Sequence, residues 1–492
     1  MSLASELEQA LAGLAESDLV DVFDGEERLP HLTNFQFEIR EQGGKLMLHL
    51  WNEHGNLARR VLALAESRAG FLVLDVARFG KRKPGRLQIV RRSRAQSADR
   101  IGREQYRILF EKLVQEKFPD ETVESLTTAR DLQHSLSGCY VRGVMHAGGR
   151  AWALVGVSSA EPREVQDRIL TFALIWLDWV RSHIGRRALA GLRIFLPKGQ
   201  WAQTAHRVHA LTTTVRMELF EVDESLWRVN LIDTNDTGNL DTWLTPQRDL
   251  EMARDAARSV IDRITGLAPE AIQVGVPPGT RDVALRFRGL EFARWHAGQL
   301  EFGLTPRRRL LVSNNWNSLK RLVRKLERYR SPDSKDKNHP VYRAQPERWL
   351  EDTILRDPLR IDAHLRPEYL YSQVPAFSAG DRGVMDLLGA RLDGRLVVIE
   401  IKAAEDIHMI LQAADYWLRV WLHQKRGEFE SHGYFRGVEL QDKPPLLYLV
   451  APGFQFHPTT DAILKCMSPE IETVQIGLNE EWRQGIQVIF RK

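Results

Sequence analysis

The chain has 492 residues, more than one hydrophobic core supports, and its 43% apolar content excludes a disordered polymer. Two cysteines, Cys139 and Cys466, exclude a disulfide scaffold and lack zinc-ligand spacing. A net charge of +4 is too small to point to a partner, so the placement of the basic residues matters more.

The opening stretch MSLASELEQALAGLAESDLVD is acidic and mildly amphipathic. Residues 1–29 are read as a helical segment without the basic start and apolar centre of a signal peptide. A β-rich module is expected over 30–98. FQFEIR and KLMLHLW flank Gly43-Gly44 as a hairpin, NLARRVLALAE reads as a short helix, and FLVLDVARF and GRLQIVRR read as strands. The basic tip between them, GKRKPGR at 80–86, is open to two readings, a phosphate contact or a solvated turn. Residues 103–117 have helical periodicity, AWALVGV is an apolar strand, Val165–His183 is a long apolar helix, and GLRIFLPKG begins another strand. The most apolar helical stretch, ILTFALIWLDWV, is too short to cross a bilayer and carries Asp178. A cytoplasmic protein with no membrane partner is expected.

The second half repeats this order. RGVM occurs at Arg142–Met145 and Arg382–Met385, 240 positions apart, and an apolar strand follows each. ILTFALIWL and ILQAADYWL come next, then the strand endings IFLPKG and YLVAPG. Glu111 and Glu351 each lie 34 residues before the methionine, and LDVARF at 74–79 echoes LEFARW at 290–295. Ordered similarities at a nearly constant spacing predict an internal duplication with units far larger than solenoid repeats. The predicted plan is a first α/β module at 99–215, an α+β module at 216–305, a basic helix and linker at 306–339, and a final domain at 340–492. The fold class is α/β, a mixed sheet flanked by helices, duplicated, with additional small α+β modules. In the linker, Leu319, Leu322, Val323 and Leu326 can face inward while Lys320, Arg321, Arg324, Lys325 and Arg328 project.

The final domain holds the chemistry. Asp386 precedes Glu400-Ile401-Lys402, which ends the apolar run LVVI. Alternation puts Glu400 and Lys402 on one face of a strand. Such a strand delivers two charges abruptly from a core, and unmatched buried charge is costly, so a bound cation facing a carboxylate pair is a natural partner. Two carboxylates suit Mg²⁺, which activates water and polarises a phosphodiester. The lysine can orient that water, or act as base if its pKa is depressed.

The pattern D386-x13-E400-I401-K402, with its order of helix, hairpin, catalytic strand, helix and strand, resembles the PD-(D/E)XK, or restriction-endonuclease-like, nuclease superfamily. Gln412 and Tyr416 are similar to the Q-x-x-x-Y motif on the helix of RecB-type members. The resemblance covers about residues 340–455. It implies that Asp386, Glu400 and the Ile401 carbonyl bind Mg²⁺, with Mn²⁺ able to substitute. It implies that Lys402 positions or activates water, that Gln412 contacts substrate or braces the site, and that Glu351 matches the acidic residue of the first core helix, a candidate second metal-shell ligand. Met385 stands where many members have proline. In the first copy His146, Gly156, Ser158, Thr171 and Ile175 occupy the aligned places of Asp386, Glu400, Lys402, Gln412 and Tyr416; Glu111 matches Glu351.

The expectation is a metal-dependent deoxyribonuclease with one active site that nicks or selects a substrate structure. A ribonuclease of the same fold, or a non-catalytic nucleic-acid-binding scaffold, is the alternative. Substrate contacts are expected from Gln412, Tyr416, His408, Arg382, Arg307, Arg308, Arg309 and the basic residues of the linker helix. DNA is the first partner implied and RNA the second. With one active site, double-strand cleavage would need a homodimer, and any ATP-driven motor would be a separate partner protein, because no Walker loop is present. Trp295 and Trp316 are candidates for base stacking; Trp176, Trp179, Trp417, Trp421 and Trp482 are read as core.

Overall fold

The computed structural model describes residues 3–15, 20–25, 27–29, 35–42, 45–52, 55–68, 71–77, 85–91, 97–131, 133–235, 242–247, 250–277, 280–305, 307–378 and 381–492. Gly43-Gly44 and residues 80–84 of the basic tip lie outside them. Two compact units divide the chain, Met1–Leu109 and Phe110–Lys492.

The first unit holds helix α1 (Leu3–Ala15) and strands β1 (Val20–Asp24), β2 (Glu27–Arg28), β3 (Gln36–Gln42), β4 (Lys45–Asn52), β5 (Gly55–Arg68), β6 (Phe71–Ala77) and β7 (Gly85–Arg91). The strands form one antiparallel sheet in the order β2-β1-β7-β6-β5-β4-β3. Leu7, Leu11 and Leu14 of α1, spaced three and four apart, are buried in the same core as Leu50, Leu72 and Ile89. The second half of the segment expected to be helical instead supplies β1 and β2. NLARRVLALAE is likewise a strand, part of β5, and not a helix. Register shifts at Val61/Ala63 and Leu64/Glu66 break its alternation. Leu57, Val61 and Leu64, spaced as on a helix, thereby reach one core from a bulged strand.

Helix α2 (Ser97–Lys117) crosses the division between the units. In the second unit β8 (Thr122–Thr127), β9 (Tyr140–Ala147), β10 (Arg150–Val157), β11 (Ala188–Pro197), β12 (Arg216–Asp223) and β13 (Arg228–Leu231) form a mixed sheet. Helices α3 (Arg163–Asp167) and α4 (Ile169–His183) link β10 to β11, and α5 (Ala202–Val208) links β11 to β12. The long apolar helix is therefore broken at Arg168. The sheet also runs past residue 215, because β12 pairs with β11.

Next come β14 (Thr242–Leu244), α6 (Leu250–Asp255) and α7 (Arg258–Thr265). An antiparallel five-stranded sheet follows, made of β15 (Ile272–Gly275), β16 (Val283–Phe287), β17 (Leu290–His296), β18 (Gln299–Phe302) and β19 (Arg309–Leu310). Helix α8 (Trp316–Tyr329) buries Leu319, Val323 and Leu326 in the core of that sheet. Helices α9 (Pro340–Arg343) and α10 (Pro346–Arg356) lead into β20 (Leu365–Ser378), β21 (Asp381–Arg391) and β22 (Leu396–Ile401). The chain ends with α11 (Met409–Lys425), α12 (Glu428–Ser431), β23 (Leu446–Pro452), α13 (Thr460–Leu464), β24 (Thr473–Leu478) and β25 (Val488–Arg491).

The last sheet has the order β14-β20-β21-β22-β23-β24-β25. From β20 to β25 its neighbours run antiparallel, antiparallel, parallel, parallel, antiparallel. The same sequence of directions runs from β8 to β13. Helices α4 and α11 lie in one continuous apolar core shared by these two sheets. Short segments after α5 and α13 pair with each other: Leu211 bridges Met467, Thr212 N–H donates to Cys466 O at 2.8 Å, and Ser468 N–H to Ala210 O at 2.8 Å. Among the described residues, no helix is long and apolar enough to cross a membrane.

One basic residue of the linker region is not on the surface. Arg330 is fully buried and donates to the carbonyls of Phe287, Arg288, Val341, Ala344 and Gln345. Burial lowers its pKa to about 9. It ties the β16–β17 turn to the N-terminus of α10. Arg330→Met would leave these carbonyls without their donor. We expect a loss of about 3 kcal/mol in urea unfolding. A loss below about 0.5 kcal/mol would show that the carbonyls find other partners.

Candidate active site

Strand β22 is buried at every position, and Glu400 is only 1% exposed. The β21–β22 ladder closes at Leu387↔Ile399. One step further the strands part, and the continued register brings Asp386 beside Glu400. Asp386 Oδ2 accepts a hydrogen bond from Ile401 N–H at 3.0 Å, a side chain taking the place of a ladder carbonyl. On its other side Gln373 has φ 53, and the β20–β21 ladder misses that one pair before resuming at Val374↔Met385. Lys402 N–H donates to Val450 O, which holds the far end of the strand against β23.

The side chains predicted to carry chemistry meet here. Lys402 Nζ lies 3.1 Å from Glu400 Oε1 and 3.2 Å from Asp406 Oδ2, and donates to Gln412 Oε1 at 2.9 Å. Gln412 Nε2 donates to the Tyr416 hydroxyl at 3.2 Å, so the two share one face of α11 as their spacing requires. The Lys402–Glu400 contact is an ion pair, and no other donor reaches Glu400 among the described residues. Glu351, on α10, is buried and accepts from Arg348 Nη1 at 2.6 Å. The same nitrogen lies 3.5 Å from Asp386 Oδ1.

Electrostatics follow from that burial. Desolvation, reinforced by Asp386, pushes the Glu400 carboxyl up to about 8. Desolvation also raises Asp386 and Glu351, against the pull of nearby cations. Burial works against the Lys402 ammonium, but Glu400 and Asp406 outweigh it and hold its pKa above the usual lysine value. Lys402 is therefore a charged donor in this state. Burial, with Glu400 next, raises the Tyr416 hydroxyl, which stays protonated.

Arg348 and Asp406 escaped the sequence reading. Arg348 sits three residues before Glu351 on α10, and Asp406 four after Lys402; both spacings were available as signals. The backbone of Arg348 is fixed by the β16–β17 turn. Gly289 there has φ 78, and a Cβ would meet Arg348 O at 1.9 Å, so only glycine fits.

The other expected contacts are placed as follows. His408 caps α11, lies 3.0 Å from Thr171 Oγ1 and packs its ring on Phe172, so it joins α11 to α4. Arg308 pairs with Glu291 at 2.6 Å, and Arg309 lies over the Phe302 ring. Arg307, Arg321, Arg324 and Arg328 are exposed, and Lys320 and Lys325 are half-buried. The side chain of Arg382 lies outside the described residues. Trp295 packs against the five-stranded sheet's core, and the Arg263 guanidinium covers Trp316. Neither ring is a free stacking platform.

The first sheet corrects one alignment. Gly156 faces Val141 on β9 and Phe195 on β11, the ladder place of Glu400. His146 instead pairs with Ala151 near the hairpin end, so it is not the counterpart of Asp386; Val141 is. The β21–β22 connection is longer than the β9–β10 turn, which shifts the RGVM letters out of structural register. A Cβ on Gly156 would meet the Phe110 ring at 2.8 Å. Glu111 is exposed, so its match to the buried Glu351 is one of letters only. An aromatic ring fills the space where the second sheet keeps a carboxylate.

Compared with protein-family models and with curated proteins, the chain matches none. Among the described residues, no group of three or more His, Cys, Asp or Glu side chains gathers as a metal-ligand set.

The Glu400 shift sets a pH dependence. Between its ordinary 4.5 and about 8, the folded chain keeps a proton that the unfolded chain has released. Stability in the presence of EDTA is therefore expected to fall as pH rises through that window and to level off above it. Glu400→Gln should flatten this contribution and melt higher than wild type at pH 8.5. Parallel melting-temperature profiles for the two proteins would contradict the assignment.

Proposed function

We propose that the chain is a divalent-metal-dependent nuclease of restriction-endonuclease-like fold, acting through the site of Asp386, Glu400 and Lys402. The observation that carries this reading is Glu400: a fully buried carboxylate beside a second carboxylate at the end of an apolar strand, whose cation, Lys402, is shared with Asp406. Adjacent buried carboxylates with so little counter-charge are costly unless a further cation joins them. The donor set is small. Two carboxylates and the Ile401 carbonyl fit Mg²⁺, which keeps several waters and takes few protein ligands, better than a metal caged wholly by side chains. Mn²⁺ would substitute.

When bound, the metal would polarise the phosphodiester and supply an activated water. The chain's own part is positional. Lys402, charged and held by Glu400, Asp406 and Gln412, is placed to donate to an anionic oxygen in the transition state. Gln412 and Tyr416 brace it from α11. The matching strand order of the two mixed sheets supports a duplicated fold, with the first copy retained for packing or binding. Phe110 over Gly156 supports a single active site, hence nicking or single-strand cleavage of DNA first and RNA second.

Among the described residues no third acidic or histidine side chain completes a metal-ligand set with Asp386 and Glu400, which favours a second reading, a nucleic-acid-binding scaffold with a dormant site. Cleavage assays on single-stranded, duplex, flap and junction DNA and on RNA, with Mg²⁺ or Mn²⁺, separate the two. The nuclease reading expects cutting of at least one substrate, and Lys402→Ala lowering the rate by about 10²–10³-fold with folding and substrate binding retained. Absence of cutting across the panel, with binding intact and unchanged by Glu400→Gln, would leave the scaffold.

A further inference from the structure

The acidic site already contains a cation from the chain itself. Arg348 Nη1 stands 2.6 Å from Glu351 Oε2 and 3.5 Å from Asp386 Oδ1. Its backbone is fixed by the contact with Gly289, and Arg330 pins the N-terminus of the same helix. The guanidinium therefore enters the site from a rigid base. Burial opposes its charge, but Glu351 outweighs this and holds its pKa up, so it stays protonated. Glu400 takes no share of this charge; its ion-pair partner is Lys402 Nζ, 3.1 Å from Oε1.

We propose that Arg348 is a resident counter-cation that competes with the divalent metal for Asp386. This rests on the metal-site reading given above. In the cation-free protein the guanidinium neutralises Asp386 and Glu351 together. A divalent ion binding to Asp386 and Glu400 places a second positive charge within a few ångströms of Arg348. Like charges at that range in a poorly solvated site repel strongly. Loading therefore requires the guanidinium to release Asp386 and keep only Glu351. The side chain is partly exposed, which gives it room to move. The consequence is a raised threshold for metal: the site fills at a higher concentration than its two carboxylates alone would need.

The test is calorimetric titration of the full chain with MnCl₂, comparing wild type, Arg348→Met, Glu351→Gln and the double variant Arg348→Met/Glu351→Gln. The double variant removes the ion pair as a unit, so Glu351 is not left buried and unpaired if the single substitution fails to fold. Removing Arg348 is expected to tighten Mn²⁺ binding by about tenfold or more, in the single variant against wild type and in the double variant against Glu351→Gln. Equal or weaker Mn²⁺ binding without Arg348, while wild type binds, would overturn the competition and leave the metal site standing. No Mn²⁺ binding by any of the four would overturn both.

Discussion

The burial of Glu400 constrains everything around it. A carboxylate at the end of an apolar strand cannot keep its charge without partners, and desolvation there is worth several kcal/mol. The neighbouring geometry answers that demand. Lys402 sits on the same face two residues on, Asp406 and Gln412 hold its ammonium, and Asp386 turns away to accept from Ile401 N–H. The β21–β22 ladder stops short of Asp386, and the β20–β21 ladder skips the Gln373–Asp386 pair before resuming at Val374↔Met385. A site of this kind is unstable by design, since its charges repel and are poorly solvated. That is the expected signature of a functional site.

The first mixed sheet offers the contrast within the same chain. It has the same order and directions of strands, yet Gly156 takes the ladder place of Glu400 and Phe110 closes over it. There the core runs uninterrupted through the place that is charged in the second sheet. The two sheets share one core through α4 and α11, with the segments at Leu211 and Met467 paired. In the proposed account the first copy acts as the inactive partner of a dimer built within one chain.

The site was legible because its signals are local. Alternation places Glu400 beside Lys402, and helical spacing places Gln412 beside Tyr416; neither needs a tertiary model. The α/β character and the strand order around β22 were legible for the same reason. What failed depended on contacts distant in sequence. NLARRVLALAE has helical spacing, but two bulges and neighbours on both sides make it a strand. RGVM suggested His146 as the counterpart of Asp386, while the ladder assigns Val141, because a longer hairpin connection changes the register. Arg330, two residues past the projecting Arg328, is a buried clamp whose five carbonyl partners come from separate segments. Arg348 gained its meaning only when α10 was set against β21.

The central claim is that Asp386 and Glu400 jointly hold a divalent cation. Crystals of the full chain grown with MnCl₂, measured for anomalous scattering, test it most directly. The account predicts a single strong peak between the two carboxylates in the second mixed sheet and none at Gly156 in the first. No peak at that position at millimolar Mn²⁺, with Glu400 still paired only to Lys402, would contradict it.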